Sequence, residues 1–205
     1  MNNWDYIFRL IIQHLQVSLT AIALAILVAV PLGIILTRYK KLANIVIGLV
    51  GVLQTIPSLA MLAIMIPLLG IGFRPAVVAL FLYSLLPILR NVYTGLNEVS
   101  YSMIKAARGV GMTRLQIIFK VQIPIALPII IAGIRTAAVL CVGTATIAAF
   151  IGFGGLGSLI YSGIQQINEI HIFTGAFFSA LLALVVDQFF SLVEFLATPK
   201  GLRVK

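Results

Sequence analysis

The chain has 205 residues, 61% of them hydrophobic and only 9% charged, with a mean hydropathy of +1.16. Such a surface cannot face water all round, so the composition excludes a soluble globular domain and leaves a polytopic membrane protein. A net charge of +9 would point to nucleic acid in a soluble protein, but here the basic residues sit in short connections between apolar runs, where they set orientation instead.

The N-terminal MNNWDYIFRL carries Asp5 and Arg9, without a basic n-region or a small-residue cleavage site. No removable signal peptide is expected. A helix needs roughly 20 apolar residues to cross the hydrocarbon layer, and five segments approach that length: residues 17–36, 44–69, 75–96, 127–150 and 172–197. The fold class expected is all-α integral membrane, one transmembrane domain over 1–205. The second segment contains Gln54-Thr55-Ile56-Pro57-Ser58; neither half would cross alone, so it reads as one helix kinked or unwound at Pro57, with Thr55, Pro57 and Ser58 as possible pathway residues. A plain proline kink is the competing reading.

Arg38, Lys40, Lys41, Lys105, Arg108, Arg114, Lys120, Lys200, Arg203 and Lys205 fall on one side of these spans, and only Arg9 and Arg74 on the other. This ten-to-two division places the N-terminus outside and the C-terminus in the cytoplasm. Five spans require termini on opposite sides, so count and charge agree. A re-entrant hairpin at 44–69 would break that parity.

Between the third and fourth spans lies a charged island, residues 98–124. Val99, Met103, Ala106 or Ala107, and Val110 recur at helical spacing, with Ser102, Lys105 and Arg108 on another face, which predicts a short amphipathic helix. Gly109 and Gly111 are suited to ending it. Thr113-Arg114-Leu115-Gln116 has the form of a capping box, so a second helix should start at Thr113 and run toward Pro124. Pattern alone leaves two readings, a segment lying on lipid headgroups or one presented to a soluble partner.

Further along, GFGGLG at 152–157 follows a span with no strand before it, and is read as an external turn into a short helix over 158–167. Charges within spans are functional suspects because an unpaired charge in hydrocarbon is costly. Arg135 and Asp187 should lie at equal depth, roughly 12 to 15 Å from the cytoplasmic end, and with opposite signs they form a candidate ion pair, structural or gating. Arg90 is closer to that end and can snorkel to it. Ala132, Gly133, Ala137, Ala138, Gly143 and Ala145 allow close helix contact. Cys141 reads as a small buried hydrophobe, and His14 and His171 as interfacial, too far apart in the chain to share a metal.

The run Lys105-Ala106-Ala107, then Gly111, then Val121-Gln122-Ile123-Pro124 resembles the EAA-x3-G-x9-I-x-LP motif of permease subunits of bacterial ATP-binding-cassette importers. Lys105 departs from the motif glutamate, and Val121 and Ile123 depart more mildly. QTIPSLAML, LLPILRNVYTGL, KAARGVGMTR, AGIRTAAV and IGFGGLGSLIYSGI are similar to permeases of osmoprotectant importers for glycine betaine, carnitine and choline, with methionine or other amino-acid permeases as the runner-up. The resemblance implies the type I importer permease fold, with five spans and a coupling loop. Lys105, Ala106, Ala107, Arg108, Gly111, Thr113 and Pro124 would then engage the ATPase. It further implies two cytoplasmic ATP-binding subunits, a second permease chain, identical or not, and an extracytoplasmic solute-binding protein. That binding protein is expected to be separate, because the chain ends just after its last span.

No G-x-x-x-x-G-K-[ST] loop is present, so ATP is expected on the partner, and neither an enzyme activity nor a cofactor is expected here. The single tryptophan, Trp4, leaves no aromatic cage for a quaternary amine, which places tight solute binding on the partner protein. A secondary transporter or channel would show repeats or a polar relay across several spans, and neither is seen.

Overall fold

The computed structural model describes residues 3–198. Lys200, Arg203 and Lys205, counted above for orientation, lie outside the described residues. Among the described residues there are helices and turns but no strand.

Helix α1 runs Asn3–Leu36, fourteen residues earlier than the expected span. Asp5, Arg9, Gln13 and Gln16 dilute the hydropathy of that stretch, yet Leu10, His14 and Val17 form a helical stripe and are buried. Leu10 packs against Leu156 and Leu159. His14 is therefore not interfacial: it is fully buried, with Nε2 2.9 Å from the carbonyl oxygen of Val142.

Helices α2, Lys40–Thr55, and α3, Ser58–Leu69, meet at a 98° bend. Pro57 has no N–H to continue the ladder and disfavours the helical conformation in the residue before it, and Ile56 is extended. The break is held by α4, Phe73–Asn97: the Tyr83 hydroxyl donates to the Ile56 carbonyl, and Gln54 Nε2 donates to the Tyr83 carbonyl at 2.7 Å. The pair nevertheless traverses the bundle. Ala43, near the start of α2, packs with Leu36, Leu89 and Leu96 at one end. The turn after α3 reaches the other end, where the Gly72 N–H donates to the Ile151 carbonyl at 3.1 Å. The two ends of the pair thus lie at opposite ends of the bundle.

After α5, Tyr101–Gly109, the chain forms one continuous helical rod from Arg114 to Ile151. It comprises α6 at Arg114–Ile117, a π-turn at Ile118–Gln122, α7 at Ile123–Ala145 and a 3₁₀ turn at Thr146–Ile151. The second helix of the island and the fourth span are therefore a single element. The π-turn precedes Pro124, whose ring would strike the carbonyl four residues back, that of Lys120; widening the turn relieves the clash.

Helices α8, Gly157–Gln166, and α9, Glu169–Ala197, complete the chain. Van der Waals fit is the main force available between helices in lipid, and the close contacts are made by small residues. A Cβ on Gly33 would lie 2.6 Å from Val92, and one on Gly133 2.4 Å from Asn91. The outer face of α9, with Phe173, Phe177, Leu184, Phe189 and Leu196, is exposed, as suits a helix bordered by lipid.

Candidate functional site

The hairpin of α5 and α6 stands at the end of the bundle where α1 and α4 finish. Its turn is a Schellman motif: the Met112 N–H donates to the Ala107 carbonyl at 3.1 Å and the Gly111 N–H to the Arg108 carbonyl at 3.0 Å. Gly111 takes φ +83°, a conformation in which a side chain is strained. Gly109 is the last residue of α5, so of the two glycines only Gly111 makes the turn. A capping box opens α6, with Gln116 N donating to Thr113 Oγ1 at 3.4 Å and Thr113 N to Gln116 Oε1 at 2.8 Å. Pro124 lies just inside α7, beyond the π-turn.

The amphipathic face drawn from the sequence is divided. Val99 and Ala107 are buried, but Met103 is 48% and Val110 77% exposed, because the hairpin rests on the bundle along only part of α5. With Tyr101, Leu115 and Phe119, also exposed, they give this end an apolar surface beside Lys105 and Ala106, which face outward too. A cluster of that kind is suited to contact with a protein or with the membrane surface. Arg108 faces back toward the end of α1, where it lines a cavity.

Within the bundle, Arg135 on α7 meets Asp187 on α9 in a two-pronged contact, Nε to Oδ1 at 2.6 Å and Nη2 to Oδ2 at 2.7 Å. The sequence reading missed a third member, Glu194, whose Oε2 lies 3.5 Å from Arg135 Nη1. It is seven residues, two turns, beyond Asp187 and so on the same stripe of α9; that spacing was the available signal. Arg90 is exposed on α4, seven residues before its end, and makes no ion pair among the described residues. Thr55 and Pro57 are exposed at the break, Ser58 is half-buried, and Thr55 Oγ1 donates to the Val52 carbonyl at 2.7 Å.

At the opposite end, the 152–157 run turns into α8 beneath α1, with the Gly155 N–H donating to Gln13 Oε1 at 3.2 Å. A Cβ on Gly157 would lie 1.8 Å from the Thr146 carbonyl oxygen, so only glycine fits. Among the described residues, no group of three or more His, Cys, Asp or Glu side chains could hold a metal.

A bundle of this kind, with an exposed two-helix hairpin continuous with one long apolar helix, defines an integral membrane subunit. The chain belongs to the family described as binding-protein-dependent transport system inner membrane component, whose model matches residues 29–197. It is 51% identical to the glycine betaine/carnitine/choline transport system permease protein OpuCB of Bacillus subtilis, over 93% of this chain and 88% of that one. It is 50% identical, with the same coverage, to the carnitine transport permease protein OpuCB of Listeria monocytogenes. The osmoprotectant import permease protein OsmW of Salmonella typhimurium is 45% identical over 99% of this chain and 97% of that one. In fold it is similar to the inward-facing MetNI methionine ABC transporter, with a TM-score of 0.86 at 24% identity, covering 97% of this chain and 100% of that one.

Proposed function

We propose that the chain is the permease subunit of an ATP-driven importer of quaternary-amine osmoprotectants such as glycine betaine, carnitine and choline. The observation that carries this reading is the exposed α5–α6 hairpin with its glycine turn, in a chain 45–51% identical to permeases named for these solutes. The likeness to a methionine transporter is one of fold.

In this reading two cytoplasmic ATPase subunits, each gripping one permease of a pair, receive Lys105, Ala106, Gly111 and the apolar residues around them. A separate extracytoplasmic binding protein delivers solute at the α8 end, where Ile167 and Ile170 are exposed. The hairpin end faces the cytoplasm, because it carries Arg38, Lys40, Lys41, Lys105, Arg108, Arg114 and Lys120. ATP-driven closure pushes α6, and the rod it begins carries that displacement through α7 to the Arg135 contact with α9. Alternating access follows from tilting these rods. Thr55, Pro57 and Ser58 border the solute path, and Arg90 anchors the inner end of α4.

The test is reconstitution in proteoliposomes with the ATPase subunits and the binding protein, scoring uptake of radiolabelled glycine betaine, carnitine, choline and L-methionine. ATP- and binding-protein-dependent accumulation of a quaternary amine is expected. Methionine uptake alone would overturn the solute, and uptake independent of ATP would overturn the class.

A further inference from the structure

A cavity of about 680 Å³ opens between the end of α1 and the α5–α6 hairpin. Three arginines line it, Arg38, Arg108 and Arg114. None of them makes an ion pair, since among the described residues the salt bridges are those of Arg135. The chain has five carboxylate side chains, Asp5, Glu98, Glu169, Asp187 and Glu194, and none lines the cavity. Among the described residues, then, no carboxylate lines the cavity to balance its positive charge.

The rest of the lining says what kind of anion fits. Ile34, Ile35, Ile104, Leu115, Ile117 and Ile118 form apolar walls, with Ile35 55% and Leu115 67% exposed. Asn97 closes α4 and Gln122 ends the π-turn before α7, so the last turns of α1 and α4 and the root of α7 ring the opening. Where the apolar helices end is the level at which headgroups would meet hydrocarbon if those helices cross the bilayer. A soluble anion would satisfy the guanidinium groups but leave the isoleucines bare, whereas a loop from a soluble partner would have to enter at the level of the bilayer.

We infer that this cavity binds the phosphate of an anionic phospholipid, its acyl chains lying along Ile34 and Ile35. Basic recesses between the inner ends of spans suit such headgroups. The arginines supply two-pronged phosphate contacts. Because α5 and α6 form one wall, a bound lipid would brace the hairpin against the bundle. The inference is independent of which solute is carried.

The experiment uses the assembled transporter in nanodiscs of phosphatidylglycerol or of phosphatidylcholine with the same chains, followed by native mass spectrometry of retained lipid. Retained phosphatidylglycerol is expected to exceed phosphatidylcholine. Arg38→Gln with Arg114→Gln should weaken retention by about 25-fold, at roughly fivefold for each cation removed, while the corresponding lysine pair keeps most of it. A photo-crosslinking residue at Ile35 should label phosphatidylglycerol, which gives a reading independent of those variants. Equal retention of the two lipids, retention unchanged in the glutamine pair, or displacement of lipid by millimolar glycerol phosphate would overturn the inference. So would loss of the ATPase subunits from the glutamine pair with lipid retention intact, which would make the arginines part of the protein contact.

Discussion

Replacing Gly111 and Gly109 separately by alanine isolates the turn from the rest of the hairpin. The two glycines are two residues apart, equally open, with no atom within 4 Å of a built Cβ, so sterics do not distinguish them. Backbone conformation does. At Gly111 an alanine must keep φ near +83°, at about 1–2 kcal/mol, or abandon the Schellman end and free the Ala107 and Arg108 carbonyls, two hydrogen bonds of about 1 kcal/mol each. Both routes reach a similar cost, so the hairpin's native geometry should lose about 5- to 30-fold in population. At Gly109 the residue is helical, and alanine should gain about 0.5–1 kcal/mol. The assay is binding-protein-stimulated ATP hydrolysis by the reconstituted complex, with co-purified ATPase as a second reading. Gly111→Ala should raise the ATPase concentration needed for half-maximal stimulation by a comparable factor, while Gly109→Ala should match or exceed wild type. If the two variants behave alike, the glycine turn is not what presents the hairpin and the reasoning fails.

Exchanging the partners, Arg135→Asp with Asp187→Arg, should restore uptake lost in either single variant, because the contact joins two helices by complementary charge; no recovery in the exchanged pair would show that position, not pairing, matters. Glu194→Gln should cost less uptake than Asp187→Asn, since its single contact is 3.5 Å against 2.6 and 2.7 Å, and a larger loss would reverse their ranking. Tyr83→Phe removes the hydroxyl that holds the α2–α3 break and should lower stability by about 0.5–1.5 kcal/mol, read as a lower Tm in detergent. Gly157→Ala should abolish membrane accumulation, whereas Gly143→Ala, with open space at its Cβ, should accumulate normally.

The spans, the two-helix island and the short helix after the glycine run were legible because each is written in local periodicity or in turn chemistry. The Arg135–Asp187 contact was legible for another reason: in lipid a charge must find its opposite at its own depth. What escaped depends on residues far apart in the chain. The first fourteen residues of α1 look too polar for a span, and only Leu156 and Leu159 make their helical stripe a buried one. The break at Pro57 was read from the sequence, but its partners Tyr83 and Gln54 were not, because neither proline nor hydropathy announces them. The fusion of α6 with α7 was hidden by the expectation that Pro124 separates two helices, where a widened turn accommodates it instead. Met103 and Val110 share a helical spacing with Val99 and Ala107, but spacing cannot say which of the four the bundle covers.

The fused rod bears on how force would travel. In a hairpin tethered by a flexible linker, displacement of α5 and α6 would dissipate before reaching the membrane. Here the chain from Arg114 to Ile151 is helical throughout, about 57 Å at 1.5 Å per residue, so tilting its base must move its far end. Arg135 lies near the middle of that rod and holds α9 by its guanidinium, which commits α9 to follow α7. The widened turn of this rod, at Ile118–Gln122, sits between the hairpin and the long apolar segment, and that is where the rod can bend most readily. Gln122 belongs to that turn, yet its Nε2 donates to the Leu96 carbonyl at 3.1 Å, which ties the bend to the end of α4. Breaking that tie with Gln122→Leu should therefore leave the hairpin able to bind the ATPase while loosening its hold on the bundle. ATP hydrolysis would continue with less solute moved per ATP, and an unchanged transport-to-hydrolysis ratio would show that force does not pass through this joint.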